Sequence, residues 1–313
     1  MSDTMTPQGQ PAAPTDTVVQ RHASPHPAPQ AGRPWVLVTG ATSGIGLATA
    51  ILCALEGYQV IATGRSPEKL ERIDKAADQA RVTIHCVLAD VADETSVGRL
   101  KDEVLALTDG YGVDLLVNNA GYAEAGAVEE IPLERLRRQF ETNVFGLVSV
   151  TQAFLPQMRQ RGRGKIVNVS SVLGRFTIPL LGAYSASKHA VESLSAAMRV
   201  ELAGSGVDVI VIAPGSVKTS FGDTLIRQVR QWLPADSPYR SAYEKFLRDR
   251  QQDRGVHPSV IAKTIVQAIR APKPLPRYAV PMEAKLVPVL NAAIPTRTLD
   301  RVLSRVILGR RSR

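Results

Sequence analysis

The chain has 313 residues, of which 44% are hydrophobic and 21% are charged, so the composition fits a globular protein and excludes disorder throughout. No apolar run reaches the roughly 18 residues that a membrane-spanning helix needs, and two cysteines exclude a disulfide framework or a cysteine zinc cluster. The formal net charge is +9, but six arginines and a single acid fall between Arg297 and Arg313, so the basic excess marks the C-terminal end.

The first 33 residues are predicted to form a disordered tail. They are rich in Pro, Ala, Gln and Thr and carry no aromatic residue, so they bury too little apolar surface to offset the entropy of ordering. A basic region followed by an apolar run does not occur at the start, and we therefore expect no signal peptide and a cytoplasmic protein. Cys53 and Cys86 lie in apolar runs and are expected to be buried, inert thiols.

From Pro34 onward, short apolar runs alternate with helical patterns, which predicts an α/β domain over residues 34–282. Most of the runs are rich in Val, Ile and Leu on both faces, as is typical of a parallel sheet covered by helices. The predicted strands are Trp35–Thr39, Gln59–Thr63, Val82–Leu88, Asp114–Asn118, Lys165–Ser170, Val207–Ala213 and Tyr278–Pro281. The predicted helices cover 44–56, 67–79, 94–108, 132–160, 183–204 and 258–270. These predicted elements alternate along the chain, and they predict a doubly wound, parallel, seven-stranded sheet with helices on both faces.

A glycine-rich turn follows the first strand, with the sequence Thr39-Gly40-Ala41-Thr42-Ser43-Gly44-Ile45-Gly46. Glycines let the backbone turn sharply and approach a ligand, and the N-terminus of the next helix offers free N–H groups to a pyrophosphate. The spacing differs from the common G-x-G-x-x-G fingerprint. A tight turn without a ligand is the alternative, and the strand–turn–helix context favours a dinucleotide.

The end of the second strand predicts which dinucleotide is used. An acid at this position would bind the ribose 2′-hydroxyl, whereas this chain has Arg65, which favours the 2′-phosphate of NADP(H) over NAD(H). A solvated arginine at a helix start is the alternative. Asp90, after the third strand, is placed either to reach the adenine amine or to cap the next helix.

Tyr184 and Lys188 lie at the start of a predicted helix. Positions four apart share a helix face, so both side chains can act on one ligand. The ordinary pKa of tyrosine, near 10, is too high for a base at neutral pH, but a nearby ammonium lowers it. Such a tyrosine can exchange a proton with a carbonyl or an alcohol. The pair alone is weak evidence, because solvated helices often carry one.

Further polar residues occur where parallel strands end, which is where α/β sheets bind ligands. Ser170 and Ser171 end the fifth strand, and Asn118 begins Asn-Asn-Ala-Gly at the end of the fourth. Asn143 lies inside a long predicted helix, although a short amide is a poor helix former. Each has a structural alternative as a strand-end or turn hydrogen-bonder; together with Tyr184 they predict a ligand site. The five histidines show no metal-ligand spacing, so we expect no metal.

These motifs resemble those of the short-chain dehydrogenase/reductase family in its single-domain catalytic branch. The matching pieces are TGATSGIG at 39–46, NNAG at 118–121, Asn143, SS at 170–171, YSASK at 184–188 and PG at 214–215. They occur in the family order, and the resemblance spans roughly residues 34–282. It implies a Rossmann-like fold and hydride transfer between a nicotinamide and a carbonyl carbon.

The resemblance also implies residue roles. Tyr184 resembles the catalytic acid/base, Lys188 the residue that lowers its pKa and holds the nicotinamide ribose, and Asn143 the residue that holds a water for proton relay. Ser171, 13 residues before Tyr184, resembles the residue that polarises the carbonyl. The cofactor would be bound by Gly40, Thr42, Ser43, Gly44, Ile45, Gly46, Arg65, Asp90, Val91, Asn118, Ala120, Gly121, Tyr184, Lys188, Pro214, Gly215, Val217 and Thr219.

Residues 216–256, hereafter the insertion, lie between the sixth strand and the next helix. Two helical patterns of apolar residues occur in it, and it holds five of the 15 aromatic residues. They predict a lid for a lipophilic substrate, and packing on the domain or on a neighbouring subunit is an equal alternative. The family members that the chain resembles here act on steroids, retinoids or other hydrophobic alcohols and ketones.

The C-terminal end, residues 283–313, alternates apolar and basic residues. An amphipathic helix on a membrane surface would have this pattern, and so would a segment that docks on its own domain, which we favour. Pro288 and Pro295 argue against one continuous helix. Nucleic-acid binding is not expected, because the chain has no stacking or groove-reading module.

The sequence therefore predicts an NADP(H)-dependent oxidoreductase of a lipophilic alcohol, ketone or aldehyde. A 3-oxoacyl-carrier-protein reductase and a non-catalytic NADP(H)-sensing protein are the alternatives, and the presence of Asn143, Ser171, Tyr184 and Lys188 disfavours the second of these. Because many relatives pair through the helices that carry Asn143 and Tyr184, a homo-oligomer is expected.

Overall fold

A computed structural model describes residues 32–251, 255–281 and 294–309. The predicted disordered tail therefore lies outside the described residues, apart from Gly32 and Arg33. So do Pro288 and the last four residues of the basic end.

A seven-stranded sheet forms the centre of the fold, and every neighbouring pair of strands is parallel. The strand order is β3-β2-β1-β4-β5-β6-β7, so the chain reverses its direction of winding between β1 and β4. The strands are β1 (Trp35–Val38), β2 (Gln59–Gly64), β3 (Ile84–Leu88), β4 (Leu115–Asn118), β5 (Gly164–Val169), β6 (Val207–Pro214) and β7 (Arg277–Val280). The predicted fold class and strand pattern are confirmed.

Helices cover both faces of this sheet. They are α1 (Gly44–Leu55), α2 (Pro67–Ala80), α3 (Glu94–Leu107), α4 (Leu133–Phe140), α5 (Gly146–Arg161), α6 (Gly182–Glu201) and α9 (Pro258–Arg270). One apolar core packs α1, α2 and α9 on one face of the sheet, and a second packs α3 and α5 on the other. Because both faces are buried, the strands carry apolar residues at successive positions instead of alternating.

The long helix predicted over 132–160 is interrupted. Between α4 and α5, residues Glu141–Phe145 form a π-helical turn, in which the backbone N–H of Gly146 reaches the carbonyl of Glu141. Turns of this kind are frequent at functional sites because the extra residue changes the direction of the side chains. Asn143 lies in the middle of this turn.

The two cysteines differ in burial. Cys53 is fully buried, and burial raises the pKa of its thiol to about 12. Cys86 is half-buried and its thiol donates a hydrogen bond to Asp74 (3.2 Å), while desolvation raises its pKa as well. Both thiols are therefore protonated at neutral pH, but the prediction of burial is wrong for Cys86.

The insertion contains α7 (Phe221–Trp232) and α8 (Arg240–Gln251), as its two helical patterns predicted. Its ends are held together by a parallel bridge between Val217 and Val256. The last described segment is α10 (Thr296–Leu303), which a π-helical turn extends over Ser304–Leu308. In the part of the chain that the structure describes, no helix is long and apolar enough to cross a membrane.

Candidate active site

The turn between β1 and α1 leaves no room for side chains at its glycine positions. Gly40 and Gly44 have φ angles of +63° and +57°, which favour glycine. A Cβ atom on Gly40 would lie 2.7 Å from the Cα of Ala120, and one on Gly46 would lie 2.5 Å from the carbonyl oxygen of Gly40. At Gly40 and Gly46 the turn is therefore packed too closely against the loop after β4 to accept a side chain.

The N-terminus of α1 is available to an anion. Ser43 occupies the cap position but makes no side-chain capping hydrogen bond, and the first turn of α1 contains no acidic residue. Backbone N–H groups at such an end carry a partial positive charge and bind phosphates. The glycine cradle and this helix end together fit the pyrophosphate of a dinucleotide.

Hydrogen bonds between neighbouring strand ends hold this edge of the sheet together. The Thr39 hydroxyl accepts from the backbone N–H groups of Asn119 and Ala120, both at 3.1 Å. The Asn119 amide donates to the carbonyls of Thr39 and Gly40. Asn118 is buried, and its amide donates to Thr151 (2.9 Å) and Asn168 (3.0 Å). Asn118 thus braces β4 against β5 and α5, and its contact with a ribose stays a prediction.

Arg65 and Asp90 lie at the ends of β2 and β3. Arg65 is exposed directly after β2. The Asp90 carboxylate accepts from the N–H of Ala92 (3.0 Å), within its own turn. The cap of α3 is Asp93, whose side chain accepts from the N–H of Thr95. The helix-capping alternative for Asp90 is therefore wrong.

Tyr184 and Lys188 face the same site from the first turns of α6. Both are buried, and the Lys188 ammonium nitrogen lies 5.9 Å from the centroid of the Tyr184 ring. This nitrogen donates a hydrogen bond to the carbonyl of Val169 at the end of β5 (2.8 Å). Burial lowers the pKa of Lys188 to about 8, because a charged amine loses its hydration there.

Asn143 joins the loop after β4 to α6. Its Oδ1 accepts from the N–H of Tyr122 (3.1 Å), and its Nδ2 donates to the carbonyl of Tyr122 (3.0 Å) and to the hydroxyl of Ser187 (3.1 Å). A Cβ atom on Gly121 would lie 3.0 Å from Asn143 Oδ1 and 3.6 Å from Lys188 Nζ. The side chain of Asn143 thus positions the backbone beside Lys188, and its predicted role in holding a water stays a prediction.

The two serines after β5 differ in their partners. Both are buried. The Ser171 hydroxyl accepts from the N–H of Leu173 (3.1 Å) and caps a short 3-10 turn. Its proton remains available to a carbonyl oxygen. The Ser170 hydroxyl has no hydrogen-bond partner among the described residues and lies against Gly174, where a Cβ atom would be 2.7 Å away.

The loop after β6 lies over the glycine-rich turn. Gly215, next to the buried Pro214, donates its N–H to the carbonyl of Val280 (2.7 Å). A Cβ atom on Gly44 would lie 3.0 Å from the side chain of Thr219, and the Ser220 hydroxyl lies 3.4 Å from that of Ser43. The base of the insertion and the candidate pyrophosphate cradle are therefore in contact.

An apolar cluster surrounds Tyr184 and includes both helices of the insertion. The Phe221 ring meets the Tyr184 ring edge-on, with centroids 5.7 Å apart. The cluster consists of Ala123, Ala125, Ala127, Leu180, Leu181, Tyr184, Leu225, Val229, Ala242, Tyr243 and Phe246, with half-buried Leu173, Ile178, Phe221, Trp232, Leu233, Tyr239, Leu247 and Leu308 around it. The alternative in which the insertion packs on its own domain is thus seen, and the packing takes place over Tyr184. The role of the insertion as a substrate lid stays a prediction.

A few polar contacts tie the insertion to the segment after β4. The Tyr243 hydroxyl accepts from the N–H of Ala127 (2.7 Å) and donates to Glu130 (3.0 Å). Arg135 pairs with the buried Glu124 (3.4 Å) and contacts Gln231 of α7 (3.4 Å). Desolvation raises the pKa of Glu124. Sequence patterns did not predict the roles of Glu124, Glu130 and Arg135, since isolated acids and arginines carry no motif.

The chain matches the family model described as short chain dehydrogenase over residues 34–230. An uncharacterized oxidoreductase of Bacillus subtilis, YusZ, is 38% identical over 87% of this chain and 98% of its own length. The NADPH-dependent 3-dehydrocapnine reductase of Ornithobacterium rhinotracheale is 32% identical, covering 86% of this chain and 95% of its own length. The 3-ketodihydrosphingosine reductase of Bacteroides thetaiotaomicron is also 32% identical, covering 82% and 88%.

Solved structures show the same architecture. A short-chain dehydrogenase/reductase from Burkholderia phymatum in complex with NAD has a TM-score of 0.72 and 26% identity, covering 90% of this chain and 98% of its own. A serine dehydrogenase complexed with NADP+ has a TM-score of 0.68 and 27% identity, covering 79% and 94%. These two neighbours hold different dinucleotides. Similarity of fold therefore does not distinguish NAD from NADP+, and the preference depends on local residues.

Proposed function

Because the chain belongs to the short-chain dehydrogenase/reductase family of NAD(P)-dependent oxidoreductases, we propose that it transfers hydride between NADP(H) and a lipophilic ketone, aldehyde or alcohol. The observation that carries the proposal is the position of Tyr184, buried beside the Lys188 amine and inside an apolar cluster that α7 and α8 complete. A site with one polar corner and apolar walls suits a carbonyl on a hydrophobic body.

The proton chemistry is proposed for Tyr184 and its neighbours. In the reductive direction, the Tyr184 hydroxyl gives its proton to the substrate oxygen, and the Ser171 hydroxyl donates a hydrogen bond to the same oxygen. The Lys188 ammonium favours the phenolate that results, since an opposite charge nearby lowers the pKa of a phenol. Asn143 keeps the backbone around Tyr122 in place beside this amine.

The nicotinamide cofactor supplies the hydride when it is bound. We propose that the turn 40–46 and the start of α1 bind its pyrophosphate, that Asp90, Val91, Asn118, Ala120 and Gly121 border the adenosine, and that Pro214, Gly215, Val217 and Thr219 border the nicotinamide. Lys188 and Tyr184 complete the set at the nicotinamide ribose. Arg65, exposed after β2, is proposed to pair with the 2′-phosphate.

The names of two relatives support the lipophilic ketone. One reduces 3-ketodihydrosphingosine, a ketone on a long-chain amino alcohol, and the other is a 3-dehydrocapnine reductase that depends on NADPH. Both match this chain over more than four-fifths of its length, at 82% and 86%. We therefore propose reduction of a ketone close to the polar end of a long acyl or alkyl chain.

The test is the loss of NADPH absorbance with a panel of carbonyl compounds, with NADH run beside it. The panel holds 3-ketodihydrosphingosine, steroid ketones, retinal, acetoacetyl thioesters and small water-soluble ketones and aldehydes. We expect the highest kcat/KM with NADPH and a long-chain ketone. Turnover of thioesters alone would replace the proposal with acyl-carrier-protein reduction. NADPH binding without any turnover would favour a sensing protein.

The choice of NADPH is tested by Arg65→Gln. Loss of a hydrogen bond to a charged group costs about 1.5–3 kcal/mol, so the KM for NADPH should rise roughly ten- to hundredfold while that for NADH is unchanged. Arg72→Gln is the matched control, because Arg72 is also exposed and lies on the following helix, α2. Equal effects on both cofactors would contradict the assignment of Arg65.

A further inference from the structure

The last described helix presents two different apolar sides. Leu299, Leu303 and Ile307, at a spacing of four, are half-buried. Leu308 packs against the apolar cluster around Tyr184, and the Lys245 ammonium on α8 donates a hydrogen bond to the carbonyl of Val306. These two contacts hold the turn Ser304–Leu308, which follows α10, against the insertion.

The other side is exposed. Val302 and Val306, four residues apart, have relative exposures of 51% and 56%. Arg301 and Arg305, which precede the two valines, form a second exposed row beside them, and Arg297 extends it. Docking of the segment on its own domain leaves these valines uncovered, directly beside a row of basic side chains.

We propose that this surface, formed by Val302, Val306, Arg297, Arg301 and Arg305 and hereafter called the C-terminal patch, binds anionic lipid bilayers. A helix lying in a bilayer interface buries apolar side chains among the acyl chains, while basic residues beside them meet anionic headgroups. The C-terminal patch has both features side by side. Arg310, Arg311 and Arg313 follow in the sequence and add three positive charges.

A lipid surface explains the patch better than a nucleic acid or an acidic protein. The segment from 294 to 313 contains no aromatic residue that could stack on a base. A purely ionic contact with an acidic protein would use the arginines but not the exposed valines beside them. A bilayer with an apolar interior and a negatively charged surface uses both rows.

The C-terminal patch lies close to the insertion that packs over Tyr184. It lies on the segment that packs against α8 and, through Leu308, against the cluster that encloses Tyr184. A bilayer held there would bring membrane-borne molecules next to the insertion. This consequence rests on the proposed function, whereas vesicle binding itself does not.

The test is flotation of the full-length protein with vesicles of phosphatidylcholine, with and without phosphatidylglycerol. We expect binding to the vesicles that contain phosphatidylglycerol and weakening by salt, which screens the attraction. Arg301→Gln with Arg305→Gln should lower the partition coefficient about 30-fold, at about 1 kcal/mol for each basic residue. Val302→Ser with Val306→Ser should lower it about tenfold, because the valines no longer insert.

The matched controls are Arg72→Gln on α2 and Val260→Ser on α9. Both residues are exposed, and both lie on elements outside the insertion and the C-terminal segment. These controls should float like the original protein. Because the altered side chains of the patch are exposed, circular dichroism and the turnover of a water-soluble ketone should be unchanged in all four variants.

Three results would overturn the proposal. The original protein could fail to float with anionic vesicles, or the patch variants could float as well as the controls. The arginine variant alone could lose binding, which would indicate purely electrostatic adsorption in which the valines do not insert. Tyr184→Phe should still float, so a failure of the proposed enzyme activity is distinguishable from a failure of lipid binding.

Discussion

The edge of the sheet and the insertion above it are built in opposite ways. At the edge, polar groups hold one another: Thr39 binds the loop after β4, and Asn143 binds Tyr122 and Ser187. The insertion is held mainly by apolar contacts, with Tyr243 and Arg135 among its few polar ties. Directional hydrogen bonds fix atoms precisely, whereas apolar packing is less directional and adapts to different shapes. The edge is thus suited to chemistry and the insertion to choosing a substrate.

The largest expected effect is at the edge. Tyr184→Phe removes the proposed proton donor, so kcat should fall by a factor of about 10²–10⁴. The affinity for NADPH, measured by fluorescence titration, should change little, because the ring and its packing remain. Tyr58→Phe, a change in a half-buried tyrosine directly before β2, serves as the control. Near-normal turnover by Tyr184→Phe would show that Tyr184 is not the proton donor.

The second prediction concerns Lys188 and pH. Its pKa is about 8 in the folded chain, because burial lowers it from the ordinary lysine value of 10.5. Between these two values the unfolded chain binds more protons, so the free energy of unfolding should rise with pH. Relative to Lys188→Met, the free energy of unfolding of the original protein should increase by roughly 3 kcal/mol as the pH rises from below 8 to above 10.

Urea unfolding of the cofactor-free protein across this pH range measures the difference. Lys75→Met, a change in an exposed lysine on α2, should follow the original protein. If Lys188→Met shows the same pH dependence as the original protein, then the amine is not held in a desolvated position.

The third prediction tests the polar tie of the insertion. Tyr243→Phe leaves the buried N–H of Ala127 without its 2.7 Å acceptor and removes the bond to Glu130. An unpaired buried group costs about 1–3 kcal/mol, so the free energy of unfolding should fall by that amount. Calorimetry or urea unfolding gives the value. Unchanged stability would mean that the apolar contacts alone hold the insertion.

The smallest expected effect concerns substrate choice. Phe221→Ala removes the ring that packs edge-on against Tyr184. We expect kcat/KM for a long-chain ketone to fall about tenfold, while that for a small ketone is nearly unchanged, since one apolar contact is worth about 1–3 kcal/mol in discrimination. Leu55→Ala, a change in an exposed leucine at the end of α1 and outside the apolar cluster, is the control. Equal losses with both substrates would argue that Phe221 supports Tyr184 instead of contacting substrate.

Much of the fold followed from local patterns in the sequence. The strands and helices were predicted within a few residues, because their apolar periodicity is local and both faces of the sheet are buried. The glycine-rich turn and the spacing of Tyr184 and Lys188 were also readable, since each depends on neighbours only a few positions away. The resemblance to a family then implied roles for residues that the pattern alone left open.

Other features depended on residues that are far apart in the chain. The partners of Asn143 are 21 and 44 positions away, and the Glu124–Arg135 pair reaches α7 through Gln231. Asp93, not Asp90, caps α3. Only packing decided which face of the insertion lies over Tyr184, and which side of α10 is buried, because an amphipathic pattern predicts that a face is covered but does not name what covers it.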